Sequence, residues 1–121
     1  MDVDDFNRYC ARLPATTHVV QWGGSQVWKV GGKVFAIGGS HDGRAAVTFK
    51  VSPVAYEMLK ERPGLRPAPY LASRGMKWIQ HFKKPGLRDG ELRDYIRESH
   101  GIVSLGLSRK TRIELGLRLE E

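Results

Sequence analysis

Residues 25–39 read SQVWKVGGKVFAIGG, and this stretch decides the fold. Runs of β-branched and aromatic residues stand on both sides of a glycine pair, a pattern typical of two strands joined by a tight turn. Glycine suits such a turn because it adopts positive φ angles without steric cost. The stretch therefore predicts a β-hairpin.

The same pattern continues on both sides of this hairpin. THVVQW (residues 17–22) leads into a second glycine pair, and AAVTFKV (residues 45–51) follows a glycine-containing turn. In the latter, Val47, Phe49 and Val51 recur at every second position, as in a strand with one buried face. The region therefore predicts four consecutive antiparallel strands, and residues 76–82 predict a further one.

Helices are predicted before and after these strands. Residues 2–13 place apolar side chains three or four apart and stop at Pro14. Ser52 and Pro53 are typical of an N-cap and a first helical turn. A long helix is predicted from Asp89 to about Gly106, because one helical stripe is apolar except for a serine. That stripe contains Leu92, Tyr95, Ile96, Ser99 and Val103.

These elements predict one domain, residues 1–121, of the α+β class. We expect a two-layer sandwich: one antiparallel sheet of about five strands, with helices packed on one face. The tail from about residue 108 is expected to add a short helix. If side chains alternate regularly, Trp28, Phe49 and Trp78 point into the core. One lysine of each strand then projects from the open face: Lys29, Lys50 and Lys77.

The charge distribution points to an anionic partner. The formal net charge is +7. Residues 62–88 contain seven Lys or Arg residues and no Asp or Glu, whereas the first sixty residues are nearly balanced. Lysine and arginine bind phosphates and displace their counterions. The basic stretch therefore predicts phosphate binding, with a solvated basic face as the alternative.

The sequence contains little material for catalysis. His18, His41, His81 and His100 lie far apart, and none has a second ligand at a typical metal-binding spacing. Cys10 is the only cysteine, so neither an internal disulfide nor a cysteine-based zinc site can form. We expect no enzymatic activity, no cofactor and no metal.

The amino terminus and the apolar runs bear on localisation. The first residues are acidic and polar, unlike a signal peptide. No apolar run approaches the roughly 20 residues that a membrane span needs. We expect a cytoplasmic monomer that does not enter a membrane.

Five motifs cover nearly the whole chain: LPATTHVVQW (13–22), GGKVFAIGG (31–39), VTFKVSPVAYEML (47–59), RPAPYLASRGMKWIQ (66–80) and LRDYIRESHGIVSLGLSRKTR (92–112). In their order and spacing, these motifs resemble the MmcQ/YjbR family of small bacterial proteins. His100 departs from the family pattern, which usually has tyrosine at that position.

The resemblance implies a fold similar to bacterial frataxin, also described as a double-wing DNA-binding arrangement. It therefore implies DNA binding, by analogy of fold, and it supplies no catalytic residues. The likeness to frataxin also raises iron binding through the acidic first helix, here Asp2, Asp4 and Asp5. The cationic chain disfavours metal ions.

Together, these features predict a non-enzymatic DNA-binding protein of low sequence specificity, with a basic surface and β-hairpin wings on the phosphates. The alternative is a protein-interaction module whose open sheet face binds an acidic partner. The predicted phosphate contacts are Arg62, Arg66, Arg74, Lys77, Lys83, Lys84, Arg88, Lys29, Lys33 and Lys50.

Overall fold

The structure, a computed structural model, describes residues 1–69, 71 and 75–117. Within these residues the chain forms one antiparallel sheet of six strands, in the order β1-β2-β3-β4-β6-β5, and four helices. The predicted α+β class is confirmed. The elements are α1 (Val3–Arg12), β1 (Thr16–Gln21), β2 (Ser25–Val30), β3 (Lys33–His41), β4 (Arg44–Lys50), α2 (Pro53–Leu59), β5 (Leu65–Pro67), β6 (Trp78–His81), α3 (Asp89–Leu105) and α4 (Arg109–Leu115).

The glycine pair of the decisive stretch forms the turn between β2 and β3. Gly31 and Gly32 have φ angles of 58° and 80°, as a tight hairpin turn of this kind requires. Further along, Trp28 pairs with Ala36 but Lys29 pairs with Val34. One extra residue therefore stands in β3, which makes a β-bulge. The predicted hairpin is confirmed, with a bulge inside it.

Helices α1 and α3 cover one face of the sheet, and the hydrophobic core lies between the two layers. Phe6 and Cys10 of α1 are fully buried, as is Ile96 of α3. A Cβ atom added to Gly38 of β3 would lie 2.5 Å from the Phe6 ring. The absence of a side chain at Gly38 therefore lets α1 approach the sheet closely.

The edge of the sheet beyond β4 is formed by β6 and β5. Helix α2 begins as predicted, since the Ser52 hydroxyl accepts a hydrogen bond of 3.1 Å from the Ala55 amide. No strand was predicted between α2 and residue 76, yet this stretch contains β5, which pairs with β6 through Leu65–His81 and Arg66–Gln80. Among the helices of the described residues, none is long and apolar enough to cross a membrane.

The predicted orientation of β6 is wrong. Trp78 pairs with Lys50, and Ile79 pairs with Phe49. Cross-strand partners lie on the same face of a sheet, so Ile79 points towards the helices and Trp78 points away from them. Both side chains are buried. This strand is apolar on both faces, so simple alternation could not indicate which face belongs to the core.

Candidate nucleic-acid interface

The open face is the face of the sheet opposite α1 and α3. One row of cross-strand partners crosses it: Ile37 pairs with Thr48, Thr48 with Gln80, and Gln80 with Arg66. Side chains two residues apart on a strand share a face, which places Lys50 beside this row. The open face therefore holds three of the predicted phosphate contacts, namely Lys29, Lys50 and Arg66.

The sheet and the helical layer differ in charge. In the described part of the chain, no strand contains Asp or Glu, and the strands contain five cations. These strand cations are Lys29, Lys33, Arg44, Lys50 and Arg66. The helices hold most of the carboxylates: Asp4, Asp5, Glu57, Asp89, Glu91, Asp94, Glu98 and Glu114. Such segregation produces a positive potential over the sheet.

The ion pairs follow the same division. On the helices, Lys60 lies 2.8 Å from Glu57 and Arg97 lies 3.0 Å from Asp94, while Arg8 pairs with Asp5. Within residues 1–69, 71 and 75–117, none of the five strand cations forms an ion pair. The positive charge of the sheet is therefore not neutralised by neighbouring carboxylates.

Arg66 is held in place at the β5 edge of the open face. Its Nε donates a hydrogen bond of 2.8 Å to Gln80 Oε1, and its guanidinium lies 4.3 Å from the centroid of the Phe82 ring. Lys83 Nζ lies 5.4 Å from the same ring. Arg66 and Lys83 thus flank one aromatic side chain. Because these contacts already order Arg66, an anion that pairs with it causes little further loss of side-chain entropy.

The other predicted contacts on β-strand flanks and loops lie elsewhere. Lys77 precedes β6, and its Nζ lies 4.7 Å from the centroid of the Tyr56 ring on α2. Arg62 lies 3.9 Å from Glu91 at the start of α3. Arg88 is the N-cap residue of that helix. The basic stretch that is continuous in sequence is therefore divided between the open face and the helical layer.

The remaining predicted phosphate contacts are Lys33, Lys84 and Arg74. Lys33 begins β3 beside the β2–β3 turn, and Lys84 is exposed in the loop between β6 and α3. Arg74 lies outside the described residues.

Two residues of the sheet and its turns, Arg44 and Trp22, were not predicted as part of the site. Arg44, at the start of β4, is exposed and could have been found by extending the alternation of that strand by one residue. Trp22, in the β1–β2 turn, is 65% exposed. Its sequence neighbours suggested a strand end, and no pattern indicated that the indole would lie in solvent.

Two titratable groups of the helical layer, Cys10 and His100, are buried. Burial raises the pKa of the Cys10 thiol far above its ordinary value, so the reactive thiolate is disfavoured. Burial also lowers the pKa of His100, whose Nε2 donates to the Pro14 carbonyl oxygen at 2.8 Å. Among the described residues, no group of three His, Cys, Asp or Glu side chains is placed to hold a metal ion.

The family model described as YjbR matches residues 11–102, which is most of the chain. The chain belongs to the YjbR family. The family assignment from the sequence motifs is thereby confirmed. No curated protein matches the sequence significantly.

Two solved structures share the YjbR-family fold seen here. The crystal structure of Deinococcus radiodurans protein DR2400, with the domain DUF419, superimposes with a TM-score of 0.84 at 23% identity, over 97% of this chain and 89% of that chain. The crystal structure of a Pseudomonas syringae protein gives a TM-score of 0.64 at 21% identity, over 82% of this chain and 96% of that chain. At these identities the similarity shows the fold alone.

Proposed function

We propose that this chain is a non-enzymatic DNA-binding protein whose open sheet face contacts the phosphates. The observation that carries the proposal is the set of strand cations without ion-pair partners among the described residues. A cation that already faces a carboxylate gains little from a phosphate, whereas an unpaired one releases a condensed counterion of the DNA when it binds. The family assignment is consistent with this proposal.

Hairpin turns and loops beside the sheet extend the proposed surface. Lys33 lies at the β2–β3 turn, and Lys83 and Lys84 lie in the loop after β6. In this arrangement the open face contacts the backbone of the duplex, and the turns reach around it as wings. Phosphate contacts of this kind set the position of a protein on DNA.

Low sequence specificity follows from the groups that are available. Reading base edges in the major groove requires a protruding helix or ribbon with free Arg, Asn or Gln side chains. Outward arginines on the helices, such as Arg8 and Arg97, are paired with Asp5 and Asp94. The strand cations are proposed to contact phosphates, and phosphate contacts carry no base information.

The proposal is tested by fluorescence anisotropy of a labelled duplex at salt concentrations from low to physiological. If about four cations neutralise phosphates, the slope of log K against log salt is about −3.6. The expected result is micromolar binding with a slope in this range and little difference between duplex sequences. Absence of binding at low salt would refute the proposal. Retention of an acidic protein after nuclease treatment would then favour the protein-interaction alternative.

Matched variants locate the surface. One triple variant, Lys29→Gln with Lys50→Gln and Arg66→Gln, removes three charges from the open face. A control, Arg8→Gln with Arg93→Gln and Arg97→Gln, removes three charges from the helical layer, so both lower the net charge by the same amount. The open-face variant should reduce the magnitude of the salt slope by up to about 2.7. Equal loss of affinity in both variants would indicate attraction by net charge alone.

A further inference from the structure

A groove extends from the open face to the carboxyl-terminal end of α3, where Ile102, Val103 and Gly106 line it. Its two lysines also belong to the proposed DNA surface. Its volume is about 530 Å³, within the range of small-ligand sites. Most of its lining is apolar, and the remainder consists of two lysines. The side chains that matter for the argument are Trp22, Ile37, Met76, Trp78, Lys33 and Lys50.

Trp78 lines the groove, and its indole N–H is a buried donor without a partner among the described residues. The Trp78 side chain is only 4% exposed. A buried donor without a partner is costly, and most such groups in proteins find one. Trp28 differs in this respect, because its Nε1 donates to Asn7 Oδ1 at 2.8 Å on the helix-covered side.

Trp22 adds an exposed aromatic surface on another side of the groove. The residue has a φ angle of 50°, which is unusual for a bulky side chain, and it is the most exposed tryptophan of the chain. A large apolar side chain in solvent gains free energy when a ligand covers it. Met76 and Trp78 also line the groove, and flat rings pack well against indoles and thioethers.

The two lysines of the groove favour a negatively charged ligand. Neither Lys33 nor Lys50 forms an ion pair within the part of the chain that the structure describes, and both line the groove. No carboxylate of the described residues lines it. A neutral apolar molecule would leave these ammonium groups without a partner, whereas an anionic group beside the apolar wall would pair with them.

We propose that this groove binds a small aromatic carboxylate. The ring system lies against Trp22, Met76 and Trp78, and the carboxylate pairs with Lys33 and Lys50. The proposal rests on the groove alone and does not depend on DNA binding.

The test is a titration of ¹⁵N-labelled protein with naphthalene-2-carboxylate, followed by NMR. The three tryptophans give three indole N–H signals, assigned through the variants Trp22→Asn and Trp78→Phe. The signals of Trp22 and Trp78 should shift saturably below about 1 mM ligand, while that of Trp28 stays in place because it lies across the sheet. No saturable shift, or an equal shift of Trp28, would overturn the proposal.

A neutral analogue and two pairs of variants test the contribution of charge. Naphthalene-2-carboxamide has the same rings without the charge, and it should bind at least about tenfold more weakly. In Lys33→Gln with Lys50→Gln, the carboxylate should bind no better than the amide. Lys29→Gln with Arg66→Gln should weaken DNA binding and leave the carboxylate affinity unchanged, because neither residue lines the groove. Equal affinities of the two ligands for wild type would contradict the role of the lysines.

Discussion

The hydroxyl of Ser99, on α3, donates a hydrogen bond of 2.6 Å to the backbone carbonyl oxygen of Phe35 on β3. The Ser99 hydroxyl oxygen in turn accepts a hydrogen bond of 2.8 Å from the backbone amide of Lys50 on β4. One fully buried side chain thus joins the long helix to two central strands. Because Phe35 lies at the β-bulge, the hydroxyl bonds a carbonyl where the ladder between β2 and β3 is disturbed.

Replacing Ser99 with alanine should therefore destabilise the fold. Ser99→Ala leaves a buried amide and a buried carbonyl without this partner, which costs about 1–3 kcal/mol of unfolding free energy. Ser104→Ala is the matched control, because among the described residues that buried hydroxyl contacts only His100 of its own helix, donating to its carbonyl oxygen at 2.7 Å and lying 3.5 Å from its ring Nδ1. Urea denaturation should show a lower midpoint for Ser99→Ala than for Ser104→Ala. Equal midpoints would contradict a linking role for Ser99.

Gly38 and its neighbour Gly39 allow a second paired comparison. A Cβ atom at Gly38 would meet the buried Phe6 ring, at 2.5 Å, whereas at Gly39 the nearest atom is Ser25 Oγ at 3.4 Å. Gly38→Ala should cost about 1–3 kcal/mol by overpacking, and Gly39→Ala should change stability by less than about 0.5 kcal/mol. The stabilities of both variants are measured by thermal or urea unfolding. Similar losses of stability in the two variants would show that any side chain at these positions of β3 is unfavourable, whether or not α1 lies close by.

Much of the fold could be predicted because local signals agreed with one another. Glycine pairs marked the hairpins, Ser52 and Pro53 marked the start of α2, and the stripe along α3 marked its buried face. The strands β5 and β6 were harder to predict from the sequence. β5 has only three residues, and β6 is buried on both sides by Trp78 and Ile79. Where both faces of a strand are covered, alternation of apolar and polar residues no longer indicates its orientation.

The candidate site was less accessible from sequence, because neighbours in sequence need not share a surface. The basic stretch crosses an edge of the sheet, so Arg66 lies on the open face while Arg62 faces Glu91 at the helical layer. Conversely, Lys29 and Lys50 belong to the balanced first half of the chain. Strand register brings them together, and only the register reveals that the strands of the described chain contain no carboxylate.

The pH dependence of stability provides the last prediction. Burial lowers the pKa of His81 and of His100 below the ordinary histidine value, although hydrogen bonds with the backbone at Leu87 and Pro14 act in the opposite direction. His81 Nε2 also has no hydrogen-bond partner among the described residues. In the unfolded chain both rings titrate near pH 6.5. Below that pH the unfolded state binds more protons than the folded state does, so acidification favours unfolding.

Stability should therefore be greatest above about pH 6.5 and should decrease between about pH 6.5 and 5.5, before the carboxylates titrate. The double variant His81→Asn with His100→Gln removes both groups, and glutamine retains a donor for the Pro14 carbonyl. Urea midpoints measured from pH 5.5 to 7.5 should fall on acidification in wild type and stay nearly level in the variant. Each protein is compared with its own midpoint at pH 7.5, so a constant loss of stability in the variant does not affect the result. Parallel curves for the two proteins would assign the pH dependence to other groups.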